Sequence, residues 1–463
     1  MEKTEARAAW CPAIRRADGP LYLAIADALS ADITSGKLAA GDRLPPQRAL
    51  AEALKIDFTT VSRAYAEAGR RGLVEGKVGQ GTYVRRKHAA ARQPVPSGLV
   101  DMSMNLPPRF DDAGLVSRMW EGLRELEISD GLDLLMRYQE AGGARRDREA
   151  GALWLSSRLD GVTADRVLVC PGAQGTLLAL TGLLAAPGET ICAEALTYPG
   201  MRSVAAHLRV NLAAVSTDGE GIIPESFEQA CVKAKPKALY CTPTIQNPTT
   251  ATLSLARRHA IVDIARRYQV PIIEDDAYGA LPASPLPPLA SLAPDLVYHI
   301  AGLAKCLAPA LRIAYLVAPE GATTSGLNTA IRATASMASP LTAAIASRWI
   351  EDGTAEAVVA AIRTETAARQ AIAARILPCD HIRTDPEGFH IWLTLSPPWN
   401  RGEFSSRLRS EGISVVASDA FALGSAPDAV RLGLGAPDSR DDLARSLKAV
   451  SYTHLTLPTI YSV

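Results

Sequence analysis

The sequence predicts an α/β chain of two domains, a small helical N-terminal domain followed by a larger domain built on a parallel sheet. Three observations support this prediction. The chain has 463 residues, more than one hydrophobic core of ordinary size contains. A stretch containing Pro94, Pro96, Ser97 and Gly98 separates two regions of different composition. After this stretch, short apolar runs alternate with helical segments, as in parallel α/β sheets.

The composition excludes several classes of protein. Hydrophobic residues make up 48% of the chain and charged residues 21%, so it is neither disordered nor collagen-like. We find no apolar run of the ~18 residues that a membrane helix needs and no signal-peptide pattern, and we expect a cytoplasmic protein without membrane attachment. The seven cysteines are scattered and form no C-x-x-C pair. They indicate reduced thiols rather than a disulfide frame or a metal site.

The formal net charge of zero hides an unequal distribution of charge. Residues 1–98 contain 16 basic and 10 acidic residues, and residues 63–92 alone contain eight basic and two acidic ones. A local basic stripe on a neutral chain is typical of a nucleic-acid-binding module. A solvated charged surface has the same composition, so the charge pattern alone leaves both interpretations open.

The N-terminal region has the pattern of a winged helix-turn-helix. The spacing of its apolar residues predicts three helices, over residues 21–35, 47–54 and 58–70. Two strand-like pieces follow around a glycine-rich turn, over residues 72–75 and 82–84. In this arrangement the third helix enters the major groove of DNA and the hairpin touches the backbone or the minor groove.

The larger region is predicted to form an α/β domain with a small C-terminal lobe. Four apolar runs have the length of buried strands, over residues 167–170, 238–241, 270–274 and 313–318. From about Gly353, two helices around a strand-like run over residues 389–395 predict an α+β lobe. We expect a linker over residues 86–98.

The last fourteen residues, 450–463, differ in composition from the segment before them. An Ala-, Arg- and Asp-rich helix is predicted over residues 439–450, and the chain then changes to SYTHLTLPTIYSV. This tail resembles the conceptual translation of a sequencing adapter, and a genuine C-terminal strand is the alternative. We therefore leave the tail out of the fold prediction and expect the natural C-terminus to be truncated.

Ordered motifs over residues 19–85 identify the type of N-terminal domain. They are Gly19-Pro20-Leu21-Tyr22, Gly41-Asp42-Arg43-Leu44-Pro45, Arg48-Ala49-Leu50-Ala51, Gly72-Leu73-Val74 and Gly79-Gln80-Gly81-Thr82-Tyr83-Val84. In this order they closely resemble the GntR-type winged-helix domain. The resemblance implies that this region binds a double-stranded DNA operator.

The residues expected to contact DNA lie on the second and third helices and at the hairpin tip. Arg48 is placed where it can reach a phosphate. The other candidates are Thr59, Thr60, Ser62, Arg63, Gly79, Gln80 and Gly81. Relatives often have Ser-Arg-Asn-Thr where this chain has Asp-Phe-Thr-Thr over residues 57–60. Phe58 either packs against the wing or contacts a thymine methyl group, and the sequence leaves both open.

One lysine of the larger domain stands out. The chain has ten lysines, and of the five after residue 98 only Lys305 lies between apolar segments. A lysine in apolar surroundings has a lowered pKa, which suits it to form a Schiff base. Burial with a structural ion partner is the alternative, and this feature alone does not decide between them.

A series of motifs around Lys305 resembles the fold type I pyridoxal 5'-phosphate (PLP) aminotransferases over residues 99–449. The series is Asn247-Pro248-Thr249, then Asp275 and Tyr278, then Lys305 and Arg312. The resemblance implies that Lys305 forms the internal aldimine with the cofactor PLP. It also assigns roles to residues that bind the pyridine nitrogen (Asp275), the ring oxygen (Asn247, Tyr278), the ring face (Tyr198), the phosphate (Gly172, Ala173, Gln174, Arg312) and a substrate or effector carboxylate (Arg431).

The chain departs from these relatives beside the lysine. Relatives usually have a phosphate-binding Ser or Thr one and three residues before it, where this chain has Ala304 and Gly302. Two lost hydrogen bonds, at about 1 kcal/mol each, predict weakened rather than abolished PLP binding. His299 is close enough in sequence to compensate, and a core histidine is the alternative.

The combination of the two regions resembles the MocR-type regulators. It implies a homodimer that binds DNA and senses an amine or amino acid through PLP. Two alternatives stay open at this point. The chain is an active aminotransferase with an appended DNA-binding domain, or it is a PLP-free regulator whose large domain is a dimerisation scaffold.

Overall fold

Three helices and a hairpin form the N-terminal unit in the computed structural model, which describes residues 10–12, 20–35, 37–39, 41–70, 73–77, 81–84, 100–129 and 136–455. The helices are α1 (Leu21–Thr34), α2 (Gln47–Leu54) and α3 (Phe58–Arg70). The antiparallel hairpin pairs β1 (Val74–Lys77) with β2 (Gly81–Val84). Gly79 and Gln80, predicted at the hairpin tip, lie outside the described residues.

The N-terminal core follows the predicted helical spacing. Apolar side chains of all three helices and of the hairpin meet in one buried cluster that includes Ile25, Leu29, Leu50, Val61 and Val84. The chain as a whole divides into two compact units, residues 1–97 and residues 98–463.

A seven-stranded mixed sheet is the centre of the second unit. Its strand order is β4-β12-β11-β10-β9-β5-β6. The strands are β4 (Val167–Cys170), β5 (Thr190–Glu194), β6 (Asn211–Val215), β9 (Leu239–Cys241), β10 (Ile272–Asp275), β11 (Val297–Gly302) and β12 (Ala314–Val317). The four predicted runs became β4, β9, β10 and β12, and the prediction missed the other three. A small antiparallel pair, β7 (Thr217–Asp218) and β8 (Gly221–Ile222), lies outside this sheet.

One strand of the sheet runs against the rest. β12 is antiparallel to both β11 and β4, whereas the other pairs are parallel. The chain returns from β11 to β12 through a short segment with a 3-10 turn, not through the crossover helix that a parallel connection needs. Residues 303–313 therefore form a loop at one end of the sheet, and Lys305 lies in this loop.

Helices cover the sheet and connect its strands. They are α4 (Ala113–Ser129), α5 (Arg145–Leu155), α6 (Gly172–Leu184), α7 (Pro199–Leu208), α8 (Pro224–Ala234), α9 (Leu255–Tyr268), α10 (Leu289–Leu292), α11 (Thr324–Ala335) and α12 (Pro340–Glu351). Two apolar clusters of the second unit contain side chains of this sheet and its helices. None of the described helices is long and apolar enough to span a bilayer.

The C-terminal lobe is larger than predicted. It contains three helices rather than two, α13 (Thr354–Ile376), α14 (Arg401–Ser410) and α15 (Arg440–Leu455). Its antiparallel sheet has the order β13-β14-β17-β16, with β13 (Ile382–Thr384), β14 (His390–Thr394), β16 (Val416–Ala417) and β17 (Ala429–Gly433). Three of these strands were not predicted, and two of them have only two or three residues, too few for an alternating pattern.

Helix α15 does not end where the composition changes. It continues from the predicted helix through Leu455, and Val450, Thr453 and His454 are buried. Ser396 donates its backbone N–H to Nε2 of His454 at 3.3 Å. Residues 450–455 are therefore helical and packed on the lobe, and residues 456–463 lie outside the described residues.

The first residues of the second unit also join this lobe. β3 (Val100–Asp101) pairs in parallel with β15 (Ile413–Ser414), and the N–H of Gly433 donates to the carbonyl oxygen of Met102 at 2.8 Å. A Cβ atom at Gly433 would lie 2.6 Å from the carbonyl oxygen of Met104, and one at Gly435 would lie 1.9 Å from that of Leu106. The backbone of residues 102–106 thus lies directly against the lobe.

Candidate functional site

Lys305 is half-buried in the loop that follows β11. Its Nζ donates a hydrogen bond to the carbonyl oxygen of Asn105, and no carboxylate of the described residues forms an ion pair with it. Burial, reinforced by the positive charge of Arg431, lowers the pKa of Lys305 to about 8. Of the two interpretations that the sequence left open, the structural ion pair is not formed among the described residues, and the role of a reactive amine stays a prediction.

Asp275 ends β10 with one oxygen bonded and one free. Tyr240 donates its hydroxyl to Oδ2 at 2.8 Å, while Oδ1 is buried without a hydrogen-bond donor among the described residues. Burial raises the pKa of Asp275 to about 6. A protonated pyridine nitrogen supplies the donor that Oδ1 lacks, so this residue fits the nitrogen of PLP.

The start of α6 and Arg312 form a positively charged recess. Gly172 and Arg312 both have left-handed backbone angles, with φ of 76° and 53°. A Cβ atom at Gly172 would lie 3.4 Å from the guanidinium carbon of Arg312, and one at Gly302 would lie 3.5 Å from Cβ of Ala173. Free N–H groups at the start of a helix and a guanidinium beside them suit a phosphate group.

Tyr198 and Gln174 lie together beside this recess. Gln174 Nε2 donates to the carbonyl oxygen of Gly200 at 3.0 Å. A Cβ atom at Gly200 would lie 2.1 Å from the ring of Tyr198 and 2.2 Å from Oε1 of Gln174, so only glycine fits there. Burial raises the pKa of the Tyr198 phenol, and the charges of Asp275 and Arg312 also act on it. The structure therefore brings Tyr198 to the same site.

Arg431 lies on β17 and reaches the site from the lobe. Its Nη1 donates to Oδ1 of Asn247 at 2.9 Å, and its Nη2 donates to the carbonyl oxygen of Ser103. Its guanidinium carbon lies 5.2 Å from the ring centroid of Phe421, and its Nε is buried without an acceptor among the described residues. Because Arg431 occupies Oδ1 of Asn247, the amide nitrogen of Asn247 is left to donate elsewhere.

Tyr278 is held by residues that sequence reasoning missed. Asn105 Nδ2 donates to the hydroxyl oxygen of Tyr278 at 2.7 Å and lies 3.3 Å from Nδ1 of His390. Asn105, Tyr240, His390 and Ser103 were not predicted at the site. Tyr240 has the sequence signature of an ordinary core strand. Asn105 lies 200 residues from Lys305 in the chain, so no local motif connects them.

His299 does not take part in the phosphate recess. Its Nδ1 lies 2.9 Å from Glu274 and its Nε2 lies 3.5 Å from Asp276, with all three side chains buried. Arg158 forms an ion pair with Asp276 at 2.7 Å. His299 is therefore a core histidine. It does not replace the phosphate-binding hydroxyl groups that are missing at Gly302 and Ala304.

The predicted DNA-contacting residues of the N-terminal unit lie on the exposed sides of α2 and α3. Arg48 and Thr59 are exposed, Arg63 lies 4.8 Å from the Tyr22 ring centroid, and Thr60 and Ser62 are half-buried. Asp57 Oδ1 accepts the N–H of Thr59 at 2.8 Å and also its hydroxyl, which anchors the start of α3.

Phe58 and Gly81 complete the described part of this surface. Phe58 is 44% exposed, and its ring centroid lies 5.9 Å from the Arg48 guanidinium carbon. Gly81, at the start of β2, is exposed, and a Cβ atom there would lie 3.1 Å from Nε of Arg43. The surface therefore presents an exposed aromatic ring with one guanidinium group, that of Arg48, beside it.

Comparison with known proteins agrees with both halves of this description. Residues 98–450 match the family model Aminotransferase class I and II, and residues 21–84 match that of the Bacterial regulatory proteins, gntR family. The chain is 32% identical over 447 residues to the HTH-type transcriptional regulator YdeF of Bacillus subtilis, covering 95% of each chain. It is 27% identical over 423 residues to the vitamin B6 salvage pathway transcriptional repressor PtsJ of Salmonella typhimurium, covering 90% of this chain and 95% of PtsJ.

Solved structures give the same fold for the second unit. An archaeal alanine:glyoxylate aminotransferase superposes with a TM-score of 0.71 at 23% identity, covering 86% of this chain and 99% of that chain. At this identity the similarity shows the fold and no more.

Proposed function

Because the chain belongs to the HTH-type transcriptional regulators that join a gntR-family domain to an aminotransferase class I and II domain, we propose that it is a regulator that binds PLP and senses an amine or amino acid. One observation carries the PLP proposal: the charges of Asp275, which has an unpaired oxygen, and of Arg312, which lies beside Gly172, both act on Lys305, so these groups lie at one site. A relative named for vitamin B6 salvage supports the same ligand class.

Different residues of the site are suited to different parts of PLP. When bound, PLP supplies an aldehyde that condenses with an amine, with loss of water, and a ring that accepts electrons. Lys305 offers an amine that is neutral in a larger fraction of molecules than an exposed lysine. Asp275 would hold the proton on the ring nitrogen, Tyr198 would cover the ring, and Arg312 with the start of α6 would neutralise the phosphate.

The contacts of residues 103–105 support sensing rather than a passive scaffold. These residues follow β3, the first described strand after the predicted linker. Arg431 donates to the carbonyl oxygen of Ser103, and Lys305 donates to that of Asn105. A carboxylate bound at Arg431 or a carbonyl compound bound at Lys305 competes with these contacts. Ligands at the site therefore change the bonding of the segment that continues from the linker.

PLP binding is tested with the full-length protein. We expect wild type to gain a visible absorbance band on titration with PLP, Lys305→Ala to show none, and the surface control Lys237→Ala to behave as wild type. Wild type that stays colourless in excess PLP contradicts the proposal and favours the PLP-free scaffold.

Sensing is tested by hydrogen exchange. Adding amino acids and amines to the PLP-loaded protein should change its absorbance for the true effector, and that compound should increase deuterium uptake in residues 100–106. Unchanged uptake in this segment, with a changed spectrum, would show that the ligand binds without affecting it.

A second candidate function is transamination. Lys305, Asp275 and Arg431 lie at one site, and these are the groups that a transamination reaction needs as well as a sensor. Their presence together favours this second candidate. Incubation with each amino acid and a 2-oxo acid acceptor should release a new 2-oxo acid if the chain is an enzyme. A spectral change without turnover favours the sensor.

We also propose that the chain acts as a homodimer on an operator with two half-sites. The second unit has an apolar groove of about 550 Å³, lined by α4, α12 and the segment after Lys305. Trp120 lines this groove and is 59% exposed. An exposed tryptophan in an apolar groove is typical of a protein interface.

A regulator of chromosomal DNA acts in the cytoplasm of a bacterium, which is where we place it.

A further inference from the structure

Four buried groups form a continuous hydrogen-bonded series that ends at Tyr278. Nε2 of His390 lies 3.1 Å from the carbonyl oxygen of Gln246, and Nδ1 lies 3.3 Å from Nδ2 of Asn105. Asn105 Nδ2 lies 2.7 Å from the hydroxyl oxygen of Tyr278. At least nine-tenths of the surface of each of these four residues is removed from solvent. In such surroundings the few available partners restrict which atom donates and which accepts. Both contacts of the Asn105 side chain go through Nδ2, and its Oδ1 is buried without a donor among the described residues.

From this series we infer that Asn105 and His390 are positioning residues that fix the direction in which Tyr278 donates its hydroxyl proton. The inference rests on the proposed PLP site, and it assigns to that site two residues that the sequence resemblance did not include.

The backbone carbonyl group of Gln246 determines which atoms of the series donate hydrogen bonds and which accept them. A carbonyl oxygen only accepts hydrogen bonds, so Nε2 of His390 carries a proton. Burial and the charge of Arg431 lower the pKa of His390 to about 3, so the ring is neutral. A neutral imidazole with its proton on Nε2 has a lone pair on Nδ1. The atom of Asn105 that faces Nδ1 must therefore be the amide nitrogen and not the amide oxygen.

The amide nitrogen of Asn105 then fixes Tyr278. It has two protons, one directed to His390 and the other to the hydroxyl oxygen of Tyr278. Tyr278 accepts this bond, and burial raises the pKa of its phenol, so it keeps its own proton. That proton has no acceptor among the described residues. It is available to the ionised ring oxygen of PLP, the role that the sequence resemblance gave to Tyr278.

The ring of Tyr278 is held in place as well. It packs edge-on against Phe389 at a centroid distance of 5.8 Å and lies 5.6 Å from the ring of His390. The same Asn105 accepts the Lys305 amine at its backbone oxygen. One residue thus aligns the reactive amine with its backbone and the phenol donor with its side chain.

The test reverses the direction of the series with little change in shape. Asn105→Asp replaces the donor by an acceptor, which draws the Tyr278 proton away from PLP. His390→Phe removes the lone pair that orients Asn105, while His390→Gln keeps an acceptor and a donor. We expect Asn105→Asp and His390→Phe to weaken PLP binding roughly tenfold and to lower the visible band as Tyr278→Phe does. His390→Gln should restore most of both.

The results that would overturn this inference differ from those that would overturn the proposed function. Asn105→Asp and His390→Phe with the PLP affinity and spectrum of wild type, beside a defective Tyr278→Phe, overturn the series. Wild type that binds no PLP overturns the proposed function itself.

A second measurement does not depend on PLP. In protein labelled with ¹⁵N-histidine, one neutral ring with its proton on Nε2 should be present from pH 6 to pH 8. It should be missing in His390→Gln. A proton on Nδ1 of this ring overturns the assignment.

Discussion

Adding a hydroxyl group at Gly302 tests whether the recess at the start of α6 holds a phosphate. The position is open to a side chain, because a Cβ atom there would meet Ala173 at 3.5 Å, an ordinary van der Waals distance. Gly302 also has no left-handed backbone angle, so serine fits without strain. Its hydroxyl would lie beside the first residues of α6, where a hydroxyl side chain of the relatives is expected to bind the phosphate.

The expected gain follows from the charge of the acceptor. A hydrogen bond to a charged group contributes about 1.5–3 kcal/mol, and fixing the serine rotamer offsets part of it. A net gain of about 1.4 kcal/mol corresponds to a tenfold lower dissociation constant for PLP. We expect Gly302→Ser to bind PLP roughly tenfold more tightly in an absorbance titration.

Gly302→Ala is the matched control, because it adds the same Cβ atom without the hydroxyl. It should bind PLP as wild type does or slightly more weakly. Equal affinities of the serine and alanine variants would refute the placement of the phosphate at this recess.

Three further predictions concern the amine, the DNA-binding surface and the groove. The rate of PLP attachment to Lys305 should rise with pH and level off above about pH 8, because burial lowers the pKa of this amine and only its neutral form attacks. A rate still rising toward the ordinary lysine value of 10.5 would contradict this reasoning. Arg48→Ala should weaken binding to DNA selected by wild type and lower the salt slope by about one per subunit, with PLP binding unchanged, while Arg145→Ala serves as the control. Trp120→Glu should halve the mass measured by light scattering. The control Tyr138→Glu, which changes an exposed residue outside the groove, should leave the mass unchanged. An unchanged mass for Trp120→Glu would show that the groove is not the dimer interface.

The sequence predicted those parts of the fold whose signals are local. Helices α2 and α3 have the predicted bounds, because apolar residues at helical spacing are closed at each end by turn residues. β4 also has its predicted bounds, since four consecutive apolar residues lie between Arg166 and Pro171. The direction of β12 was not predictable in this way, because it depends on the path of the loop around Lys305 and not on the strand itself.

The residues of the site also differ in whether a sequence signal pointed to them. Lys305 was singled out because a lysine between apolar segments is conspicuous in a sequence, and Asp275 and Arg431 were assigned through the resemblance to the fold type I aminotransferases. Asn105 and His390 were missed because they are ordinary residues whose roles come from contacts across 173 to 285 positions of the chain. Donor and acceptor assignments of this kind require coordinates, since each depends on the atom that faces it.

The close contact of Gly433 and Gly435 with the backbone of residues 102–106 has a mechanical consequence. No side chain separates the lobe from this segment, so the two pack backbone against backbone. The segment is also the covalent continuation of the linker. This segment carries the carbonyl oxygens of Ser103 and Asn105, which accept from Arg431 and Lys305. A methyl group at either glycine would therefore displace these two acceptors from the site without changing any residue of the site itself.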